Sequence, residues 1–491
     1  MSTNSLSTHE EFSIKKIIGP MLAVIVGMIM VILDSTVVNV ALPKLVEEFN
    51  STISKLQWSV TGYTLALSAV IPLAGWMTDR FGTKRIFLIT IGFFTVGSLL
   101  CAMAQTPEQL ILFRIIQGLG GGMVSPIGMA MIFKMAPPEK RGTLMGMLGI
   151  PMLLAPALGP VLAGYLVEYV HWNWIFLINL PIGILAILIG LRNLPKSEVK
   201  AVPSLDLLGM ILAPIAFSML AFGVSEGGVE WTSPRTLTGL IVGGTALLLF
   251  IIVELRSKQP LLELRVFRSS DFTRGILISW VTQIALFGSI LLIPLFLQSI
   301  KQYTALETGL ILLPQALSSA IFMPLGGRLY DKLGARPLAI AGLSVITAAL
   351  FMLSKITLDT GLPYIMTALA MVGAGMGMSM MAINTHVLAS APRHLVGRVT
   401  PLTTAAQQVM VSFAVAGLTG YWTSRVTSHM TETANQAAAA TSAFGDTFLL
   451  ASGIALVGAL LGFILRKPKP KPDDTSKGEG NAPDPAMMMG H

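Results

Sequence analysis

The stretch GWMTDRFGTKR at residues 75–85 returns in altered form as GRLYDKLGARP at residues 327–337. The copies share a glycine, an aspartate and a second glycine at a constant offset of 252 residues, so that Gly75, Asp79 and Gly82 match Gly327, Asp331 and Gly334. Similarity at a fixed offset is the sequence mark of a repeated architecture. Each copy lies between two apolar runs, which predicts two related halves within one chain.

The composition sets the solvent in which these halves fold. Of the 491 residues, 53% are hydrophobic and only 12% are charged, and the mean hydropathy is +0.73. Soluble proteins carry about 25% charged residues. A soluble globular enzyme is therefore excluded, and lipid is predicted to be the main solvent. The single cysteine, Cys101, excludes a disulfide within the chain.

Fourteen apolar runs are long enough to cross a bilayer, for which a helix needs about 20 residues. They cover approximately residues 17–43, 56–78, 86–107, 109–133, 142–167, 172–191, 207–225, 236–253, 275–300, 308–327, 337–354, 362–390, 399–424 and 447–465. None shows the strict alternation over about 9 to 11 residues that is typical of barrel strands. The sequence predicts an all-α polytopic membrane protein with fourteen transmembrane helices.

The repeat divides these helices into two halves, because its copies follow the second and the tenth run. An N-terminal six-helix half is predicted over residues 17–192 and a C-terminal one over residues 273–466. The linker, residues 193–272, contains two inserted helices at about 205–254. Residues 1–16 form a cytoplasmic N-terminus, and the polar residues 467–491 are predicted to be a disordered cytoplasmic tail. Such paired halves are one plan of secondary transporters.

The loops give the orientation. Most of the 33 Lys and Arg residues fall on the side of the N-terminus, and cytoplasmic loops collect basic residues. Both termini are therefore predicted to be cytoplasmic. The formal net charge of +8 is then mainly a topology signal, and a nucleic-acid partner is not needed to explain it.

Two charged residues interrupt the predicted spans deeply. Asp34 in the first span and Arg114 in the fourth lie about 12 Å and 10 Å below the outer surface, at ~1.5 Å per helical residue. Such residues cost about 2.5–3.5 kcal/mol to insert and usually mark ion pathways. A carboxylate can take up a proton whereas a guanidinium cannot lose one, so the pair is a candidate for proton coupling. The alternative is a static ion pair that fixes helix packing.

The loop that carries Asp79 is a candidate inner gate. Asp79 would cap a helix or pair with a basic residue across the two halves, closing the cytoplasmic side. The alternative is a tight turn with topological charge, but a turn alone does not require the carboxylate twice. The candidate gate residues are Gly75, Asp79, Arg80, Gly82, Lys84, Arg85, Asp331, Gly334 and Arg336.

Two further sets complete the candidates. The fifth span is rich in glycine and proline, which allow close helix contacts and bending, although such residues are common in membrane helices generally. Its marked positions are Pro156, Gly159, Pro160 and Gly164. Polar and aromatic residues that could line a central cavity are Asn39, Gln57, Trp58, Tyr63, Gln117, Gln283, Gln315, Asn384 and Gln407. For Trp58 an interfacial aromatic belt is the alternative.

No catalytic, metal or nucleotide site is predicted. The six histidines lack metal-ligand spacing, and no phosphate-binding glycine loop with Lys-Ser or Lys-Thr is present. We therefore expect no enzyme activity and no cofactor, with a proton gradient as the energy source.

Taken together, these residues resemble the major facilitator superfamily, specifically its fourteen-helix drug:proton antiporter branch of the EmrB/QacA type. The resemblance covers about residues 17–465. It is carried by LDSTVVNVALP at 33–43, the loop at 75–85, RIIQG at 114–118, the Gly159, Pro160 and Gly164 motif and WNWIFLINLPIG at 172–183. The chain departs from the family pattern at Ala155 and Ala163, where Gly is usual, at Asn173, where Arg is common, and at Gln302, where Gly is usual.

The resemblance implies that Asp34 and Arg114 serve proton coupling, that Asp79 and its neighbours form the inner gate, and that the motif of the fifth span belongs to exporters. It implies a proton-coupled multidrug efflux antiporter of amphipathic, cationic or zwitterionic small molecules, in the bacterial cytoplasmic membrane. The partners are then substrate, protons and the lipid bilayer. The chain is predicted to act as a monomer, and a periplasmic adaptor is not indicated. Alternatives are a dedicated exporter of a lipid or metabolite and a non-transporting membrane receptor.

Overall fold

The computed structural model describes residues 15–195, 207–227, 230–257, 260–392, 395–431 and 435–466. Within these ranges every regular element is helical. The α-helices in chain order are α1 (Lys15–Glu48), α2 (Ile53–Val70), α3 (Ala74–Phe81), α4 (Thr83–Ala102), α5 (Pro107–Gly121), α6 (Val124–Met135), α7 (Arg141–Tyr169), α8 (Trp174–Leu177), α9 (Asn179–Asn193), α10 (Leu207–Gly227), α11 (Pro234–Arg256), α12 (Ser270–Ser299), α13 (Ala305–Leu333), α14 (Ala335–Leu353), α15 (Leu362–Ala389), α16 (Val396–Met430) and α17 (Gln436–Gly462). The N-terminal residues 1–14 and the tail 467–491 lie outside the described residues.

Twelve segments of the described chain are long and apolar enough to cross a membrane. They are Ile17–Val38, Lys55–Phe81, Thr83–Ala102, Pro107–Met135, Trp174–Asn193, Leu207–Val224, Pro234–Arg256, Leu306–Leu333, Ala335–Leu353, Leu362–Ala389, Val396–Met430 and Gln436–Gly462. The chain is therefore a multi-pass, all-helical membrane protein. The remaining two long helices, α7 and α12, contain 29 and 30 residues.

Two of the predicted continuous spans are divided in the structure. The second is interrupted after α2 by a 3₁₀ turn, Ile71–Leu73, because Pro72 lacks the N–H that a continuing α-helix needs. The fourth is divided between α5 and α6 after a run of glycines that ends at Gly122. Both divided spans still cross as one segment.

The two copies of the repeat form the same turn. Gly82 separates α3 from α4 with a φ of 88°, and Gly334 separates α13 from α14 with a φ of 82°. Glycine is the residue that adopts this backbone without steric cost. Gln302, where the resembling family has glycine, has a φ of 59° and occupies the left-handed region as a non-glycine residue.

Helices from the N-terminal and C-terminal parts of the chain pack closely against each other. α7 lies along α13, and glycines bring the two backbones together: a Cβ added at Gly146 would lie 2.7 Å from the carbonyl oxygen of Met323. Elsewhere α10 packs against both α2 and α16, and α11 packs on α10. An added Cβ at Gly223 on α10 would lie 2.6 Å from the backbone nitrogen of Leu240 on α11. α10 and α11 thus form a tightly packed helical hairpin.

Candidate functional site

Asp34 on α1 and Arg114 on α5 form an ion pair inside the bundle. Each residue is 1% exposed. The guanidinium group of Arg114 also donates through Nε to the backbone oxygen of Ser59, at 3.3 Å, and lies 3.8 Å from the ring centroid of Tyr63. The Arg114 charge is therefore stabilised by a backbone carbonyl and an aromatic ring in addition to the Asp34 carboxylate.

Three neutral side chains complete the surroundings of Asp34. Gln117 donates to the Asp34 carboxylate at 2.8 Å, and its oxygen accepts from Arg114 at 2.7 Å. Asn179 on α9 donates to the same carboxylate oxygen, Oδ1, at 2.8 Å. Ser98 on α4 accepts from both amides, at 2.6 Å and 3.2 Å. Five helices therefore meet at one buried network.

Asn179 and Ser98 are functional candidates that the sequence prediction did not include. Asn179 stands in the stretch 172–183 that carried the family resemblance, and an amide in an otherwise apolar run is a detectable signal. Ser98 gives no such signal, because serine is common in membrane helices and bonds its own backbone there.

The two repeated aspartates make different contacts across the halves. Asp331, at the end of α13, accepts hydrogen bonds from the backbone nitrogens of Gly142 and Thr143 at 2.7 Å and 3.0 Å, and from the Thr143 hydroxyl at 2.7 Å. It thereby caps the first turn of α7 and opposes a negative charge to the positive end of that helix. Asp79 pairs with Arg398 of α16, Nε to Oδ2, at 3.3 Å.

Glycine lets these contacts form. A Cβ at Gly75 would lie 2.7 Å from the backbone oxygen of Gly397, so a larger residue would separate α3 from α16. Arg398 also donates to the backbone oxygen of Pro260, at 3.2 Å. On the side predicted to be cytoplasmic, α3 and α13 are therefore in close contact with α16 and α7. Arg398 and Thr143 are contact residues of the two aspartates that the loop sequences alone did not identify.

The basic residues of the predicted gate are placed differently from its aspartates. Lys84 donates to the backbone oxygens of Leu191 and Leu194, at 2.7 Å and 2.9 Å, at the C-terminal end of α9. This position suits a cation because the last carbonyls of a helix carry partial negative charge. Arg80, Arg85 and Arg336 are exposed.

Of the positions marked in the fifth span, Gly159 is one where the structure requires a residue without a side chain. A Cβ at Gly159 would lie 2.8 Å from the Cβ of Thr36, which is two residues beyond Asp34 on α1. Gly164 borders open space, with no heavy atom within 4 Å of an added Cβ. The side chains of Pro156 and Pro160 lie outside the described part of the structure.

The residues predicted to line one cavity fall into separate groups. Tyr63 and Gln117 belong to the buried Asp34 network. Gln57 is exposed, and Trp58 stacks on Phe222 of α10 with ring centroids 6.0 Å apart. Gln315 on α13 lies against Met376, with Nε2 3.7 Å from Sδ. The side chain of Asn39 lies outside the described part.

Gln283, Asn384 and Gln407 form a second polar cluster, in the C-terminal part of the chain. Gln407 on α16 donates to Asn384 Oδ1 on α15 at 3.0 Å and to Ser279 Oγ on α12 at 3.2 Å. Gln283, one turn beyond Ser279 on α12, lines a small recess with Ser279 and Asn384. This cluster contains hydrogen-bonding groups but no charge.

The all-helical fold with a buried ion pair agrees with what comparison with known proteins shows. The chain belongs to the Major Facilitator Superfamily, whose family model matches residues 24–415. It is 36% identical to a Multidrug resistance protein B homolog of Mycobacterium tuberculosis (strain ATCC 25618 / H37Rv) over 80% of this chain and 74% of that protein. It is 31% identical to the Lincomycin resistance protein LmrB of Bacillus subtilis (strain 168) over 92% of this chain and 95% of that protein.

A solved structure has the same fold at low sequence identity. The proton:xylose symporter XylE aligns with a TM-score of 0.66 and 16% identity, over 93% of this chain and 97% of that chain. The predicted superfamily and its all-helical fold are thus confirmed. The chain is a transporter, and members of this family are in general not enzymes.

Proposed function

We propose that this protein is a proton-coupled multidrug exporter of amphipathic, cationic or zwitterionic small molecules, working by alternating access. The observation that carries the proposal is the buried Asp34–Arg114 pair. The names of the relatives support drug efflux as the physiological activity. We propose that no cofactor is needed, since a proton gradient would supply the energy.

The proposed coupling step is protonation of Asp34. A protonated carboxyl no longer neutralises Arg114, which keeps its charge. Arg114 then retains Gln117, the Ser59 carbonyl and the Tyr63 ring, so that losing the ion pair does not leave the guanidinium without partners. The pair can therefore loosen at a cost that the gradient can meet, and α1 changes its contact with α5.

Helix α7 is the proposed link between this site and the inner gate. Its first turn is capped by Asp331, and its Gly159 lies against Thr36 beside Asp34. The 17 residues between Gly142 and Gly159 amount to about 25 Å of helix. A shift of α1 would be transmitted along α7 to the cap, because packed helices move as rigid bodies.

We propose fourteen spans arranged as two six-helix halves and two inserted helices. α7 and α12 are each long enough to cross a bilayer and would add to the twelve apolar segments. α10 and α11 are then the inserted pair. Both termini would be cytoplasmic, in the bacterial cytoplasmic membrane, and the protein would function as a monomer.

Proteoliposomes test the proposal directly. Lumenal pH is recorded while lipophilic cations, zwitterions and neutral amphiphiles are added against an imposed proton gradient. Asp34→Asn is expected to abolish substrate-driven proton movement. Glu47→Gln is the matched control, because Glu47 is an exposed carboxylate on the same helix. Full pH-dependent efflux by Asp34→Asn would overturn the proposal, and a response to a single compound would replace multidrug export by dedicated export.

A further inference from the structure

The polar cluster of α12, α15 and α16 contains an acceptor that the described protein leaves unused. The side-chain oxygen of Gln283 has no hydrogen-bond partner among the described residues, and Gln283 is only 5% exposed. A buried acceptor without a donor costs free energy. Buried acceptors in folded proteins almost always have a donor, either from the protein or from a bound molecule such as water.

A recess of about 10 Å³ lies beside this oxygen. Its wall consists of Ser279, Thr282, Gln283, Met380, Ile383 and Asn384. The space is about what one water molecule occupies. It fits a single oxygen or nitrogen atom, so any larger ligand would place only one group there.

The recess lies between α12 and α15, beside a face of α15 that continues toward α7. Asn384 is one turn beyond Met381 on α15, hence on the same face of that helix. Met381 packs against α7 of the other half, since a Cβ at Gly149 would lie 2.8 Å from Met381 Cγ. Gln407, which donates to Asn384, is half-buried.

The helices of this cluster, though not the exact positions, correspond to those of the Asp34–Arg114 pair. Asp34 and Arg114 stand on the first and fourth apolar runs of the N-terminal half, and Gln283 and Asn384 stand on the first and fourth runs of the C-terminal half. Equivalent helices therefore present a charged cluster on one side and a neutral one on the other. The described residues that line the recess carry no charge.

We propose that this recess is a subsite for one hydrogen-bond donor of the exported molecule, a hydroxyl or an N–H, accepted by Gln283 Oε1. The inference rests on the proposed export function and specifies its substrate chemistry. A donor gains the unused acceptor, whereas a purely apolar surface leaves it unpaired. Substrates with an uncharged donor are thus bound more tightly than equally lipophilic ones without it.

Two lipophilic monocations distinguish the effect of a hydrogen-bond donor from the effect of charge. Ethidium carries aromatic amino groups that donate, and tetraphenylphosphonium has no donor. Gln283→Met keeps the length of the side chain and removes the acceptor. In proteoliposomes with an imposed proton gradient, this variant is expected to raise the KM for ethidium about 5- to 20-fold and to leave the KM for tetraphenylphosphonium unchanged.

The control is Gln298→Met, the same substitution at an exposed position of α12. It is expected to change neither KM. Retained tetraphenylphosphonium transport shows that Gln283→Met is folded. As a test that needs no variant, fully N-methylated ethidium should show the same rise in KM with the unaltered protein.

Each other outcome has a defined meaning. Equal effects of Gln283→Met on both cations would overturn the subsite in favour of a packing role. No effect on either cation would show that the recess holds water only. Export of neither cation, nor of other amphiphiles, by the unaltered protein would instead overturn the proposed function itself.

Discussion

Asp34 or Arg114 without its partner would leave an uncompensated buried charge that destabilises the fold. The free energy of their interaction can be measured. Replacing one partner of a buried pair leaves the other charge without compensation, at a cost of about 3–5 kcal/mol. Replacing both with apolar residues of similar size removes that cost. We expect Asp34→Leu to lower thermal stability in detergent strongly, and Asp34→Leu with Arg114→Leu to recover most of it without recovering transport.

The double-mutant cycle isolates the pair from its neighbours. Lys44 and Glu47, an exposed pair on α1, provide the control, and their cycle is expected to give a much smaller coupling energy because water screens both charges. A coupling energy for Asp34 and Arg114 as small as that of this surface pair would contradict the geometry of the buried network.

At the scale of single residues, the sequence identified unusual residues more readily than the residues that they contact. Asp34 and Arg114 stood out because charge in an apolar run is rare, and their equal depth predicted that they could meet. Arg398 could not be identified from Asp79, because 319 residues separate the two and only the folded chain brings them together. The sequence also did not indicate that Trp58 packs on α10 and Gln315 on α15.

Among the helices, α7 depends on a cap supplied by the other half of the chain. Asp331→Asn keeps one acceptor oxygen but loses the charge that opposes the helix dipole, which is worth about 0.3–1 kcal/mol, or more when partly buried. We expect this substitution to open the inner side more often. Maleimide labelling at Met131→Cys should accelerate several-fold, because Met131 lines the cavity of about 110 Å³ behind the gate.

The chain is well suited to this labelling experiment, since its one native cysteine, Cys101, is buried. Asp359→Asn, an exposed aspartate, is the control and should leave the labelling rate unchanged. Unaltered labelling in Asp331→Asn would mean that the cap does not hold the gate closed.

The helices themselves were largely predictable because apolar length is the strongest signal in a membrane protein. What the runs did not predict is their internal breaks. Pro72 ends α2 through its missing N–H, and the glycines before Gly122 end α5, yet both sequences read as continuous apolar runs. Hydropathy averages over these residues, whereas backbone hydrogen bonding does not.

For the whole molecule, the repeat predicted two related turns but not the different contacts that they make. Asp331 caps a helix, whereas Asp79 pairs with an arginine. The buried Asp34–Arg114 pair lies in the N-terminal part of the chain, and the polar cluster of α12, α15 and α16 carries no charge. Under the proposed function, protons would act at the first place and a polar group of the substrate would bind at the second.

We expect closure of the inner side to depend on the close approach of α7 to α13. Substitutions at two glycines of α7 can test this, because only one of them lies in the contact. At Gly146 a side chain would meet the backbone of Met323, whereas at Gly164 it would enter open space. We expect Gly146→Val to hold the inner side apart, to reduce transport more than 10-fold and to accelerate labelling at Met131→Cys, because backbone cannot yield as a flexible side chain can. Gly164→Val, the same substitution in the same helix, should transport normally. Loss of transport in Gly164→Val with normal labelling would show that α7 makes a further contact in the opposite, inward-open arrangement, and normal transport in Gly146→Val would show that closure does not require this approach.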